Sequence, residues 1–462
     1  MAAPGVSLSM TRPGAMVEFA LRPRRLRLYR SYMVSQHEPF DVRRARQDAG
    51  LAAMLSYAEE SVPYYGQAFA NAGIRAQDVR AVRDLSPIPI LTRSLIRGNP
   101  DAFLPRGSEG MAYVKGRTGG STGQPLRYRM SLDDYEAGVA LMYRAFGHVG
   151  YEPGDRMVIV AGGSLTSNSP GITDRVRDVV TNRRTLSSYG MSQQRMAAYL
   201  DLIARWRPKF VRGYASSLLA LSQLALERGM RSHPSVRAVF STAESLTPSA
   251  RQMIEQAFGC EVIDGYGLND GGVSATECAQ HSGFHVDMER AVLEVVDEAG
   301  QPVVGRPGRI LATSLLNRAM PFVRYDTGDI GVMTAETCSC GRTSPLLSAI
   351  LGRQTDLLVL DGVTIGSPVL TVLMGTTSAA WYQIVQTDGS TVVFRIVNAD
   401  MAARQKDETT IVRSMRRHVG DNARVTFEYL DMADDLMAGD KHRIVINRWQ
   451  PDGDPATDAA IP

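Results

Sequence analysis

Lysine is nearly absent from this sequence of 462 residues, in which the lysines are Lys115, Lys209, Lys406 and Lys441. The other basic residues are arginines, so a lysine inside a motif is unlikely to be there by accident and deserves weight as a candidate functional group. A strong net charge is also absent: the formal value is +3, which gives no reason to expect nucleic acid or an anionic membrane as a partner.

Long apolar runs are missing as well. No stretch reaches the length that a membrane-spanning helix needs, and the first residues lack the order of basic, apolar and small residues that marks a secretory signal. We therefore expect a cytoplasmic protein. Residues 1–16 and 451–462 are expected to be disordered, the latter because they are rich in Pro, Asp and Ala.

Strands and helices alternate in the first half of the chain. Residues 17–106 are predicted to be helical, with a break at Val62-Pro63. Beyond them, short apolar runs that predict strands alternate with periodic helical segments, and the strands are predicted at 112–115, 126–130, 156–160, 210–212, 236–241 and 260–263. Alternation at this spacing indicates a mainly parallel α/β sheet.

The pattern changes in the second half. Residues 285–350 predict strands and turns, as in a β-barrel or a small β-subdomain, and residues 352–462 predict a small α+β domain. The predicted fold class is therefore α/β: a large N-terminal domain, 1–351, with mainly parallel sheets and a β-rich subdomain, followed by a small C-terminal lid domain, 352–462.

A loop rich in glycine and hydroxyl groups runs from Thr118 to Pro125. Glycine allows a backbone to approach a ligand closely, and successive backbone N–H groups in such a turn can bind an anion. The loop is neither a Walker A sequence nor a GxGxxG fingerprint. A plain surface loop is the alternative interpretation, and the other motifs decide between the two.

Four further segments complete a set of motifs: Asp264–Asp270, Arg324–Asp329, Gly352–Asp356 and Gly439–Arg443. Together with the glycine-rich loop, they resemble, in order and spacing, the core motifs of the adenylate-forming (acyl-CoA synthetase) superfamily. The similarity is greatest to its phenylacetate–CoA ligase and CapK-like branch. This resemblance covers residues 40–446 and implies that ATP and Mg²⁺ activate a carboxylic acid as an acyl-adenylate, which CoA then attacks.

The resemblance also implies roles for individual residues. Lys441 would reach the carboxylate and the α-phosphate as the catalytic cation, and Asp270 would act with it by holding Mg²⁺. The residues expected to bind ATP or AMP are Thr118, Gly120, Ser121, Thr122, Gly123, Glu244, Tyr266, Gly267, Asp329 and Arg353. Those expected to bind the acid are Tyr214, Ala243, Asn269 and Gly271. Small residues beside one tyrosine suit a flat aromatic acid.

Several positions depart from the family pattern. Gly119 stands where serine is usual, Gln124 replaces a lysine, Asp270 is one methylene shorter than the usual glutamate, and Thr355 takes the hinge position. These departures leave two alternatives to CoA ligation open. The acyl-adenylate could pass to an amine, a hydroxyl, another nitrogen nucleophile or a carrier protein, or the chain could be a degenerate nucleotide- or acyl-CoA-binding protein. A homodimer is also compatible with the sequence.

Cysteine is scarce, but three of the four cysteines fall in patterns with metal-ligand spacing. Cys278-x-x-His281 and Cys338-x-Cys340 could together hold a structural zinc ion. His285 competes with His281 for the fourth position. Cys260 lies in an apolar run and is best explained as a buried thiol. The alternative is that all four are reduced core cysteines.

Overall fold

The structure is a computed structural model that describes residues 13–118, 126–161, 172–188, 191–229, 234–353, 357–361, 363–366, 370, 373–374, 376–379, 381–397, 401–420, 423–431, 436–438 and 441–449. The chain divides into two compact units. Unit 1 comprises Met1–Ser245 and Ile254–Ile350, and unit 2 comprises Leu246–Met253 and Leu351–Pro462. The domain boundary proposed after residue 351 stays a prediction. Within the described ranges, no helix is both long and apolar enough to cross a membrane.

Helices form the N-terminal part of unit 1: α1 Pro13–Leu21, α2 Pro23–Ser35, α3 Phe40–Ser61, α4 Pro63–Ala72, α5 Arg93–Gly98 and α6 Leu132–Gly147. The predicted break between α3 and α4 is confirmed, since Pro63 begins α4 and lacks the N–H that would continue α3. Helix α1 begins at Pro13, so the expectation of disorder up to residue 16 is wrong in its last residues.

Two β-structures follow. The hairpin is formed by β1 Tyr113–Arg117 and β2 Arg127–Ser131. The strands of the large sheet are β3 Met157–Ala161, β4 Arg183–Ser187, β5 Phe210–Tyr214, β6 Ala238–Thr242, β7 Glu261–Gly267, β8 Ser274–Thr276, β9 Phe284–Val286, β10 Ala291–Val296, β11 Pro307–Ser314, β12 Tyr325–Thr334 and β13 Leu346–Arg353. The helices among them are α7 Ile172–Val180, α8 Gln193–Trp206, α9 Ala215–Glu227 and α10 Pro248–Phe258.

The large sheet has the order β10-β11-β12-β13-β9-β8-β7-β6-β5-β3-β4. Strands β3 to β7 pair in parallel, as the alternation of strands and helices predicted. From β7 onward the pairings of β7 with β8 and of β8 with β9 are antiparallel. The β-rich region is therefore a continuation of the parallel sheet and not a closed barrel, which corrects one of the two forms expected for it.

Helix α6 packs on the parallel half of the sheet and brings its aromatic side chains against the strands. The Phe146 ring stacks on Phe240 of β6 at a centroid distance of 3.9 Å, and Tyr151 lies edge-on to Phe210 of β5. These residues belong to a buried aromatic cluster. The cluster fixes α6 over β5 and β6, whose C-terminal ends carry the predicted acid site.

Unit 2 is an α+β structure, as predicted. Its elements are β14 Leu357–Leu360, β15 Val363–Gly366, β16 Trp381–Gln386, β17 Thr391–Val397, α11 Met401–Val419, β18 Arg424–Leu430, β19 Met437–Ala438, β20 Lys441–His442 and β21 Val445–Asn447. The four-stranded sheet has the order β18-β17-β16-β21. The single long helix of this unit in the described residues, α11, has 19 residues.

Candidate active site and metal centre

The glycine-rich loop joins β1 to β2 of the hairpin. At its base, the Thr118 N–H donates to the Leu126 carbonyl at 2.9 Å, and the Thr118 hydroxyl accepts from the Leu126 N–H at 3.0 Å. The Thr118 hydroxyl therefore ties the two ends of the loop together. The predicted phosphate ligands Gly120 to Gly123 lie outside the described residues.

Tyr266 and Asp329, both expected in the nucleotide site, contact each other. Tyr266 lies near the end of β7, and its hydroxyl donates to Asp329 Oδ2 at 2.9 Å. Burial raises the pKa of Tyr266, and the Asp329 carboxylate raises it further, so the phenol remains a donor at neutral pH. Asp329 is anchored on β12, where its N–H donates to the Thr327 hydroxyl at 3.1 Å. The sheet therefore brings an aromatic ring and a carboxylate together, a pair suited to a nucleoside.

Asp270, the expected magnesium ligand, lies buried in the loop after β7. Its Oδ2 accepts a hydrogen bond from the Tyr325 hydroxyl at 2.9 Å. Arg93, the first residue of α5, donates from Nε to the same hydroxyl at 3.3 Å and has NH2 4.0 Å from the Asp270 carboxylate. Sequence reasoning assigned no role to Tyr325 or Arg93. Tyr325 lies inside the motif Arg324–Asp329, which reads Arg-Tyr-x-Thr-Gly-Asp, and its place in that motif could have marked it as a site residue.

The neighbouring strands β5 and β6 end in the segments expected to bind the acid. Tyr214, the last residue of β5, is fully buried. Ala243 follows β6 with φ of 68°, a left-handed conformation that is uncommon for residues other than glycine. Such backbone strain clusters at functional sites. Glu244 accepts the Ser216 N–H at 2.8 Å and thereby caps the N-terminus of α9.

The remaining predicted positions, at the end of β7 and in the loop after it, differ in their exposure to solvent. Gly267 and Asn269 are exposed, so both are free to face a ligand. Gly271 is buried against the β-rich half of the sheet: a Cβ there would lie 2.7 Å from the Ala312 Cβ. Glycine at 271 is therefore required by packing, whether or not it also approaches the acid.

A cluster of possible metal ligands is formed by the loop after β8, by β9 and by the turn between β12 and β13. One atom from each of Cys278, His285, Cys338 and Cys340 lies within 4.8 Å of the others. Cys278 Sγ is 3.6 Å from Cys338 Sγ, and Cys340 Sγ is 3.4 Å from His285 Nε2. All four cysteines of the chain are free thiols.

His285, not His281, completes this cluster, which corrects the histidine favoured from the sequence. His281 adopts a left-handed backbone with φ of 49°. Its Nδ1 lies 3.3 Å from Glu277 Oε2, and its Nε2 lies 3.6 Å from Glu261 Oε2. His285 is instead placed by β9, which pairs with β13 at Leu346.

The geometry of the cluster fits a tetrahedral zinc ion. Zn–S bonds of about 2.3 Å in a tetrahedral site put two sulfurs about 3.8 Å apart, close to the distance between Cys278 and Cys338. His285 Nδ1 lies 3.1 Å from the Ser344 hydroxyl, which leaves Nε2 to face the cysteines. Burial, and then the nearby Arg342, lower the pKa of His285 to about 3, so its imidazole is neutral and able to bind a metal at pH 7.

The chain is similar to several curated proteins. A phenylacetate-coenzyme A ligase of Thermus thermophilus is 28% identical over 334 residues, covering 71% of this chain and 74% of that protein. A phenylacetate-coenzyme A ligase of Escherichia coli is 28% identical over 334 residues, covering 70% and 74%. Protein CapK of Staphylococcus aureus is 21% identical over 410 residues, covering 87% and 88%. No protein-family model matches the chain.

The fold agrees with these relatives. A 2-hydroxyisobutyryl-CoA ligase in the postadenylation state, in complex with R3-HIB-AMP, superposes with a TM-score of 0.71 at 20% identity and covers 89% of this chain and 91% of that one. In sequence and in fold the chain is therefore similar to members of the adenylate-forming superfamily, on its phenylacetate–CoA ligase and CapK-like branch. These similarities support a ligase.

Two residues that are expected in the site from the sequence, Arg353 and Lys441, belong to unit 2. Arg353 is the last residue of β13 and is half-buried. Lys441 begins the short strand β20, which pairs with β19 at Ala438. The side chain of Lys441 lies outside what the structure describes, as does Thr355 in the expected hinge.

Proposed function

We propose that the chain activates a carboxylic acid with ATP and passes the acyl group to CoA. A carboxylate oxygen attacks the α-phosphorus of ATP, the bond to pyrophosphate breaks, and an acyl-adenylate forms. The CoA thiolate then attacks the acyl carbon, and AMP leaves with the electron pair of the broken C–O bond. The contact between Tyr266 and Asp329, beside the hydrogen-bonded pair of Tyr325 and Asp270, is the observation that supports this proposal most strongly.

The roles of the residues follow from their chemistry. The Asp329 carboxylate can accept hydrogen bonds from both ribose hydroxyls, and Tyr266 presents its ring beside the same position. Asp270 would hold Mg²⁺, which screens the charge of the phosphates, and Tyr325 orients that carboxylate. Lys441 would supply a cation at the carboxylate and the α-phosphate.

The β- and γ-phosphates are assigned to the loop after β1. Its glycines and hydroxyls offer backbone N–H and O–H donors, and Thr118 closes the base of that loop. Arg353 would approach the ribose or the α-phosphate.

A zinc ion would have a structural role. Cys278, His285, Cys338 and Cys340 make a closed set of four ligands with no position left for a substrate. The ion would join the loop after β8 to β9 and to the turn between β12 and β13. We expect this chemistry in the cytoplasm, where thiols remain reduced.

The acid is proposed to be aromatic. Tyr214 and Ala243 mark the ends of β5 and β6, and the space beside small residues at strand ends suits a planar group. Asn269, exposed after β7, could donate to a ring substituent.

The test is ATP–pyrophosphate exchange with the full-length protein across aromatic and short aliphatic acids. Acid-dependent exchange that disappears in Lys441→Ala, but persists in the control Lys406→Ala on α11, would support acyl-adenylate formation and the role of Lys441. Measurable ATP binding without exchange for any acid would favour the degenerate nucleotide-binding alternative.

The acceptor is tested in the next step. CoA is added with the best acid, and thioester formation is followed by mass spectrometry. Formation of the thioester at the rate of AMP release supports CoA as the acceptor. Exchange without thioester would overturn the CoA step and direct the search to amines, hydroxyl compounds or a carrier protein.

A further inference from the structure

Arg212, in the middle of β5, is a cation enclosed by α6. Its NH1 lies 3.0 Å from Met142 Sδ, and its guanidinium lies 5.4 Å from the centre of the Phe146 ring. Strands β3 and β6 flank it, with Ile159 and Phe240 at the same level. On the side of α6 the guanidinium therefore meets a thioether and an aromatic ring, and Tyr143, Tyr151 and Tyr214 lie near enough to act on its charge.

No carboxylate contacts Arg212 among the residues that the structure describes. Two other arginines near α6 have an anionic or hydroxyl partner: Arg144 pairs with Asp287 and Glu289, and Arg183 donates to the Tyr143 hydroxyl at 2.6 Å. Burial lowers the pKa of Arg212 to about 10, and the neighbouring Arg183 contributes to this change. Arg212 is still charged at neutral pH, and a partly desolvated charge gains from an anionic partner.

The position of Arg212 connects it to the proposed acid site. Side chains two residues apart on a strand point to the same face, about 6.6 Å from each other. Arg212 therefore lies directly below Tyr214, at the end of β5 where the acid is expected. The side chain remains half-buried, so it is not sealed off from a ligand.

We propose that the acid activated here is a dicarboxylic acid, of which one carboxylate reacts with ATP and the other pairs with Arg212. This inference rests on the proposed function. A guanidinium matches a carboxylate with two parallel hydrogen bonds. Met142 and Phe146 hold the cation in place on one side and leave its other donors for the ligand. An acid with a single carboxylate would leave the guanidinium without an anionic partner, so we expect the site to favour an acid with two.

A purely structural role is the competing explanation. The contact between Arg212 and Phe146 could stabilise the packing of α6 on β5. In that case Arg212→Met would change thermal stability and would affect all acids alike. Arg184 of β4 provides the matched control, since its guanidinium also lies over an aromatic ring, that of Trp206, at 5.0 Å.

The experiment measures ATP–pyrophosphate exchange with pairs of acids that differ by one carboxylate, namely phenylacetate against its 2-, 3- and 4-carboxy derivatives and butyrate against glutarate. The proteins are the wild type, Arg212→Met, Arg212→Lys and Arg184→Met. We expect the wild type to prefer one of the diacids in kcat/KM. Arg212→Met should lose this preference by about 100-fold, as expected when a buried charge pair is broken, and Arg212→Lys should retain part of it. Arg184→Met should behave as the wild type.

The outcomes separate this inference from the function on which it rests. Exchange with monoacids in preference to every diacid, unchanged in Arg212→Met, would overturn the inference and leave the ligase activity intact. If no acid supports exchange, calorimetric binding of the diacids decides: binding that Arg212→Met abolishes supports the inference without the activity, and absence of binding overturns it. Equal loss of exchange for all acids in Arg212→Met, with a lower melting temperature, would establish the structural role instead.

Discussion

Arg324 offers the sharpest test of how the β-rich half of unit 1 is held together. It is the first residue of the Arg-Tyr-x-Thr-Gly-Asp string and is 1% exposed. Its guanidinium donates to the carbonyl oxygens of Ser86, Ile88 and Gly300 at 2.7–2.8 Å and to Glu294 at 3.3 Å. We predict that Arg324→Met is strongly destabilising, because the variant leaves these carbonyls and a buried carboxylate without their donor.

The magnitude follows from the burial of both partners. The side chains of Arg324 and Glu294 are 2% and 4% exposed, and removing one member of a buried ion pair costs about 3–5 kcal/mol. Burial raises the pKa of Glu294, and Arg324 opposes that rise. In the variant the pKa of Glu294 is raised further, so the folded state binds a proton that the unfolded chain releases above about pH 4.3. The difference in stability between the two proteins should therefore be largest at pH 7.5 and become smaller towards pH 4.5.

Urea unfolding at the two pH values checks this prediction. Trp206 of α8 lies in unit 1, so its fluorescence, in a background with Trp381→Phe and Trp449→Phe, reports on that unit. Arg306→Met is the control: its side chain is 62% exposed beside Asp297, and its loss should barely change the free energy of unfolding. A loss below about 1 kcal/mol in Arg324→Met, or a difference that grows as the pH falls, would refute the reasoning.

Three further predictions concern the sites. We expect elemental analysis to find zinc in the wild type and in His281→Ala but not in His285→Ala; the reverse result for the two variants would return the ligand assignment to His281. Asp329→Ala should raise the KM for ATP in the exchange assay by about 10- to 100-fold, because charge-assisted hydrogen bonds to the ribose are lost, and Asp297→Ala should leave it unchanged. Tyr325→Phe should lower kcat about 5- to 10-fold without changing the KM for the acid, because the Asp270 carboxylate loses the donor that orients it; unchanged kcat would remove Tyr325 from the site.

Local patterns in the sequence were sufficient for most of the fold. The short apolar runs predicted strands at 156–160 and 210–212, where β3 and β5 lie, and Pro63 marked the end of α3. Alternating strands and helices indicated the parallel half of the sheet, because βαβ connections require that spacing. The strand β4 and the helix α7 were not predicted, since Arg183–Ser187 is polar for a strand and gives little apolar signal.

The form of the β-rich region and the histidine of the metal cluster depended on how distant strands pair. Whether residues 285–350 form a barrel or continue the sheet depends on how β8 and β9 join β7 to β13, and a local pattern carries no such information. The choice between His281 and His285 was equally open, because both lie within a few residues of Cys278. The left-handed backbone at His281 and the pairing of β9 with β13 settled it.

The sequence by itself indicated which chemistry to expect, since the order of its motifs resembles that of adenylate-forming ligases. The tertiary structure decided which side chains act together. Tyr325 meets Asp270 only because β12 returns beside the loop after β7, and α6 presents Met142 and Phe146, rather than a carboxylate, to Arg212. Contacts between residues far apart in sequence depend on packing, and packing is a property of the whole fold.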